Sequence, residues 1–281
     1  MSTLFLNTLP SSDNPKFYHI SRYKIENQIE PVITNSSSKF TIVIFCFWNV
    51  YYIKLAYISL YCLLKHTDAK NFDIKIVTHH NIEKEVREVF ASIIGNDNII
   101  LNSPYKYDIF NNVYIKNKTK VVFVDADGFV LADKKTLFKN IFESKSKVLM
   151  FKETATSIKN MLINRKTIIK TAISLLTQLK NKNNWYLSGL SAYSTEIFKQ
   201  DYKEYCEEFI KHNCTDDEAV FLNYITDKIT DISKYVKWFR GGQVLAFAKN
   251  TFPAFIHMIE GDFLLDKFIP IMLDKILKNK L

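Results

Sequence analysis

The chain has 281 residues, 47% of them hydrophobic and 24% charged, which excludes a disordered or collagen-like chain and allows one large domain or two small ones. Only 6 Gly and 6 Pro stand against 22 Phe and 15 Tyr, too few breakers for an all-β protein built on tight turns. With 38 basic and 29 acidic residues the formal charge is +9, a balance suited to polyanions, anionic membrane surfaces or phosphorylated small molecules.

Residues 1–39 read as a polar, irregular N-terminal extension ending in Thr34-Asn35-Ser36-Ser37-Ser38. They contain no basic stretch followed by a long apolar run, so no signal peptide is expected. Cys46, Cys62, Cys206 and Cys214 lack C-x-x-C spacing, and Cys46 and Cys62 sit among apolar residues. They read as reduced, buried thiols of a cytoplasmic protein rather than zinc ligands. Residues 40–281 are expected to form the compact domain.

The most apolar stretch, residues 41–64, is interrupted by Asn49 and Lys54 and so does not read as a membrane span. It reads better as a strand over 40–48, buried on both faces, followed by a helix capped by Asn49 and running to about His66. Residues 73–78 form a second predicted strand. Ile82, Val86, Val89, Phe90, Ile93 and Ile94 then recur at helical spacing, with Gly95 as the stop. Further strands are expected at 120–124 and 148–151. Strands alternating with helices predict an α/β, mostly parallel sheet with flanking helices, in a single domain.

Residues 152–182 carry seven basic side chains and one acid, +6 of the total +9, with an apolar stripe at helical spacing from Ile158 to Leu176. This basic amphipathic insertion predicts a peripheral contact with an anionic membrane surface. It contains no aromatic residue and so lacks the stacking platform of single-strand nucleic-acid binders; no nucleic-acid partner is expected. Residues 263–281 read as a C-terminal helical tail interrupted by Pro270.

The most informative stretch is Val121-Val122-Phe123-Val124-Asp125-Ala126-Asp127-Gly128. An apolar strand ends in two carboxylates one residue apart. Alternation along a strand would turn both to one point, at the carboxyl end where open α/β sheets bind ligands. Two such carboxylates suit Mn²⁺ or Mg²⁺, which take one or two carboxylates and fill the rest of their shell with phosphate oxygens and water. A strand-D-x-D-G also begins the first motif of haloacid-dehalogenase-type phosphatases, in which Asp125 would accept a phosphoryl group and Asp127 would act as general acid. Gly261-Asp262 with Asp266 fits the late metal motif of that alternative.

The run from Phe123 to Asp133, with Asp125, Ala126, Asp127, Val130, Leu131 and Asp133, resembles the DxD region of GT-A (Rossmann-like) glycosyltransferases, above all the family 8 type that includes glycogenin and lipopolysaccharide galactosyl- and glucosyltransferases. Upstream, the first strand with Asn49, Tyr52, Ala56, Ser59 and Leu60 is similar to that family's first strand and helix. Downstream, the resemblance continues through Trp185 to Leu190, Asp216 to Asn223, and Phe255-Ile256-His257. It implies a metal-dependent, retaining transfer of a sugar from a nucleotide-sugar, a UDP-sugar above all, to a glycan, lipid-linked or protein acceptor. It implies nucleotide-sugar contacts from Phe45, Tyr52, Asp125, Ala126, Asp127 and Gly189. Asp125, Asp127 and His257 would be metal ligands, and Asp217 and Ser188 would be the catalytic residues of the sugar pocket, with no side chain assigned as nucleophile. Glu218 stands where the family has Gln, and the late Lys of the family motif is missing from its place after His257. A catalytically silent sugar-binding protein on the same fold is a further alternative.

Overall fold

The computed structural model describes residues 2–13, 18–46, 50–79, 82–102, 117–131, 136–153, 185–198, 229–239 and 255–258, with Ile109, Ile115 and five positions between 270 and 277. In chain order the elements are α1 (Ser2–Thr8), α2 (Tyr18–Arg22), β1 (Phe40–Cys46), α3 (Val50–His66), β2 (Asp73–His79), α4 (Lys84–Ile94), β3 (Ile99–Asn102), β4 (Lys120–Val124) and β5 (Gly128–Val130). They continue with α5 (Thr136–Glu143), β6 (Val148–Glu153), β7 (Trp185–Ser194), β8 (Ile229–Asp231), β9 (Val236–Phe239) and β10 (Phe255–Met258).

Seven strands form the main sheet in the order β3-β2-β1-β4-β7-β6-β8, and β5-β10-β9 form a smaller one. The pairs β1–β2, β1–β4, β2–β3 and β6–β8 are parallel, while β7 runs antiparallel to both β4 and β6. The sheet is therefore mixed but mostly parallel, as the alternation of strand and helix signals predicts. Every residue of β4, and every residue of β1 after Phe40, is buried, which is why both read as unbroken apolar runs. The run 41–64 is indeed a strand and then a helix. The predicted cap Asn49 lies outside the described residues. α4 buries five of the six expected apolar residues, the sixth, Ile82, being buried just before the helix, and ends at Gly95, whose positive φ of 87° and N–H to the Ala91 carbonyl close the helix.

The N-terminal segment, read from its sequence as a polar, irregular extension, packs into the core. Leu6, Leu9, Ile20 and Ile25 belong to the hydrophobic core, and one face of α3 fastens the segment through Lys54, Tyr57 and Tyr61. Lys54 Nζ donates to the carbonyls of Ser21 at 2.7 Å and Tyr23 at 2.8 Å. The Tyr57 hydroxyl donates to the Asn27 carbonyl at 3.3 Å and accepts from the Ile29 N–H, while the Asn27 amide donates to the Tyr61 hydroxyl. Farther along, the Val32 N–H reaches the Ile93 carbonyl and the Asn35 N–H reaches that of Phe72. Tyr23 donates to Asp274 at 2.8 Å, and burial, with that carboxylate, pushes its hydroxyl pKa up. Beyond α2 the segment looks irregular in sequence because backbone groups between Ser21 and Ile29 are satisfied by side chains of α3 rather than by a repeating ladder.

At the edge where β1, β2 and β4 begin, buried charges are paired. The Asp73 carboxylate lies 2.7 Å from Lys118 Nζ and 3.1 Å from Lys75 Nζ. Lys118 also donates to the carbonyls of Ser36 and Ser38, and Lys75 to Asn98. Lys120, the first residue of β4, donates to the carbonyls of Ile141 and Ser144 at the end of α5, where a cation complements the helix dipole.

Candidate functional site

β4 ends at Val124, and Asp125 to Gly128 form a tight turn closed by the Gly128 N–H on the Asp125 carbonyl at 2.9 Å. Asp at the first position and Gly at the fourth are the residues such a turn favours. Strand alternation therefore does not set the relation of Asp125 and Asp127, as the sequence pattern predicts; a turn does. The turn joins the two sheets, since β4 belongs to one and β5 to the other. Asp125 is half-buried, Ala126 is buried, and Asp127 is 6% exposed.

Three elements hold this turn. The Asp125 N–H donates to the Gly189 carbonyl at 3.0 Å, extending the β4–β7 ladder one step past the pair Val124 and Leu190. The Ser59 hydroxyl, 1% exposed on α3, donates to the Gly128 carbonyl at 2.6 Å. On the far side Gly128 pairs with His257 in the antiparallel β5–β10 ladder. Gly128 leaves no room for a side chain: a Cβ there would lie 2.5 Å from Phe255 Cζ and 3.1 Å from the Asp125 carbonyl oxygen.

β7 contributes a register break. Met150 of β6 pairs with Ser191, but the next residue, Phe151, pairs with Leu187. Ser188, Gly189 and Leu190 are thus released from β6 at the point where Gly189 meets Asp125. Bulges that re-aim a strand beside a site are a recurrent device.

The residues singled out in the sequence divide into three groups. The backbones of Asp125, Ala126, Asp127, Ser188, Gly189 and His257 converge on the turn. Phe45 is next to it: Val43 and Ile44 pair with Phe123 and Val124, so Phe45 stands on β1 opposite Asp125. It is buried and packs edge-on against Phe123 at 5.2 Å, which makes it a floor for the site. Tyr52 lies in the first turn of α3, half-buried and edge-on to Tyr51 at 5.0 Å. It shares a face with Ser59, two turns and about 10 Å farther along the helix. The side chains of Ser188 and His257, and all of Asp217, lie outside the described residues, as do Cys206, Cys214 and the basic segment beyond Glu153. Ser59 as an anchor of the turn, and the break in β7, escape a reading of the sequence. A Ser within an apolar helix is the only signal for the first, and register leaves no local signal for the second.

Cys46 and Cys62 are buried as expected. Burial pushes the Cys46 thiol well up and that of Cys62 to about 12, so Cys46, though at the end of β1, is no nucleophile at neutral pH.

Among the described residues no three His, Cys, Asp or Glu side chains cluster. The donor set is the carboxylate pair in one turn, hard oxygen ligands at the carboxyl edge of the sheet. This fits a divalent cation that completes its shell with phosphate oxygens and water.

No family model matches the chain, and no curated protein matches it in sequence. Solved structures do match. The galactosyltransferase LgtC, in complex with donor and acceptor sugar analogues, superimposes with a TM-score of 0.55 at 9% identity, over 85% of this chain and 95% of that one. An active-site mutant of LgtC gives a TM-score of 0.54 at 11% identity over 79% of this chain and 88% of that one. The bifunctional glycosyltransferase WbbM, in its apo form, gives 0.50 at 14% identity over 91% of this chain and 53% of that one. The chain has the GT-A fold that these proteins share, in a single domain of a mostly parallel sheet with flanking helices.

Proposed function

We propose that the protein is a glycosyltransferase that moves a sugar from a nucleotide-sugar donor, a UDP-sugar first of all, to a glycan, lipid-linked or protein acceptor, with retention of configuration. The observation that carries this reading is the Asp125-Ala126-Asp127-Gly128 turn, buried but for Asp125 and held by α3, β7 and β10 at the carboxyl edge of a GT-A sheet.

Asp125 and Asp127 would hold Mn²⁺ or Mg²⁺, with His257 as a third ligand. When bound, the cation supplies Lewis-acid stabilisation of the charge on the departing nucleoside diphosphate. Gly189 and Ser188 line the donor sugar, where the release of β7 from β6 gives a pyranose room beside the carboxylates. Phe45 forms the floor under the diphosphate, and Tyr52 flanks the base. Asp217 accepts hydrogen bonds from sugar hydroxyls. The +6 segment 152–182 would bring the enzyme to an anionic membrane surface on the cytoplasmic side. No helix among the described residues is long and apolar enough to cross a membrane, and such an association would be peripheral.

The competing phosphatase reading uses Asp125 as a phosphoryl acceptor, and its late motif, Gly261 to Asp266, lies outside the described residues. A panel of nucleotide-sugars with Mn²⁺ separates the two. The proposal expects release of a nucleoside diphosphate and transfer of the sugar, both abolished by EDTA. Transfer that survives EDTA overturns the metal role, and a phosphoaspartyl intermediate at Asp125 decides for the phosphatase.

A further inference from the structure

The main sheet has a second polar side chain at the edge and on the face of Asp125, two strands away. Residues paired across a ladder share a face. Val43 pairs with Phe123 and Phe45 with Val77, so Phe123, Phe45 and Val77 share one face. Two residues beyond Phe123 and Val77, respectively, stand Asp125 and His79. His79 is the last residue of β2 and its only residue that is not buried. Its backbone is fixed from two sides. It pairs with Asn102 of β3, and its carbonyl accepts the Ile82 N–H at 3.1 Å where the chain turns towards α4. Phe45, on the strand between, is buried and offers an apolar floor from one side to the other.

Neighbouring strands lie about 4.8 Å apart and successive residues about 3.3 Å along a strand; Phe45 stands level with both Val77 and Asp125, so His79 lies two strands across and two residues farther along, about 12 Å from Asp125. That distance is comparable with the reach from a diphosphate across a ribose to its base. On the proposed function above, on which this rests, the diphosphate lies at Asp125 and Asp127. We infer that His79 is a specificity-determining residue for the nucleoside end of the donor, contacting base or ribose by stacking or by a ring N–H. A residue held on a strand end by a ladder and a turn is suited to that task, because its position is set before the ligand arrives.

The test is binding of UDP, GDP, ADP, CDP and inorganic pyrophosphate, each with Mn²⁺, to the wild-type chain and to His79→Ala, His79→Gln and His79→Phe. One stacking or hydrogen-bond contact corresponds to about a tenfold change. His79→Ala should weaken the preferred nucleoside diphosphate about tenfold and leave pyrophosphate unchanged. Donor KM should rise by the same factor, with kcat within about twofold. Rescue by Gln identifies a hydrogen bond, and rescue by Phe identifies stacking. Unchanged nucleoside diphosphate affinity in His79→Ala overturns the inference, as does an equal loss for pyrophosphate. If the wild-type chain binds no nucleoside diphosphate, the glycosyltransferase reading falls, and this inference with it. A thermal melt of each variant guards against misfolding, and His79→Gln keeps the test sharp if His79→Ala melts early.

Discussion

Asp73 and Asp127 are both buried carboxylates beside central strands of one sheet, 1% and 6% exposed, yet the edges they occupy make them different things. Asp73 opens β2 at the amino edge and is clasped by Lys75 and Lys118, whose other hydrogen bonds tie down residues 36–38 and Asn98. Its charge is used up inside the fold. Asp127 follows β4 at the carboxyl edge, in a turn held by backbone groups and by the Ser59 hydroxyl, in the company of a second carboxylate. A buried acid is thus no mark of a site in itself. What marks one is an acid pair set by a closed turn at the edge where parallel strands point their ends.

The amino edge is the more sensitive of the two. Asp73→Asn leaves two lysines buried without their carboxylate, and losing one partner of a buried pair costs about 3–5 kcal/mol. A denaturant titration should show that loss, while metal and nucleotide binding persist in the fraction that folds. At the carboxyl edge Gly128→Ala drives a methyl into the buried Phe255 ring, an overpacking that costs about 1–3 kcal/mol. Because the same residue closes the Asp125 turn, this variant should also weaken metal-dependent nucleotide binding, where Asp73→Asn does not.

The smallest effect is a pH dependence. Burial lowers the Lys54 pKa from 10.5 to about 8, and that of Lys120 in the same direction. Between about pH 8 and 10.5 the unfolded chain binds the Lys54 proton that the folded chain has released, so stability rises with pH across that window. The gain is complete above the unfolded value and is lost as pH falls through about 8. From pH 8 to 9 the wild type should gain about 1 kcal/mol over Lys54→Met. Parallel pH profiles of the two proteins would show that the Lys54 ammonium buried beside Ser21 and Tyr23 gives up its proton near pH 8.

The elements legible in the sequence are those with a local signal. β1, β2, β4, α3 and α4 have periodicity or unbroken apolar runs, and Gly95 carries its own punctuation. β6 reads two residues short, because Lys152 and Glu153 at its end look like the start of a charged segment. β3, β5 and β8 are too short, at three or four residues, for alternation to register. α5 hides because its eight residues, with Lys139 and Asn140 at the centre, are too few for helical periodicity to register. The N-terminal segment is misread because its order comes from α3, far along the chain: Lys54, Tyr57 and Tyr61 look like an ordinary polar stripe until residues 21–29 lie across them. At the candidate site the carboxylates are legible from chemistry alone. Their geometry is not, since a turn rather than strand alternation relates them; Ser59 and Gly189 act through hydrogen bonds whose partners are 69 and 64 residues away in sequence, and the break in β7 is a matter of register with β6.

On the proposed function, the Asp125-to-Gly128 turn is a metal-dependent donor site. Calorimetric binding of UDP with and without Mn²⁺, to the wild type and to Asp127→Asn, tests it most directly. Binding should require Mn²⁺ in the wild type and be lost in Asp127→Asn with its melting temperature preserved. Equal UDP affinity in the two proteins, or wild-type binding indifferent to the metal, would contradict it.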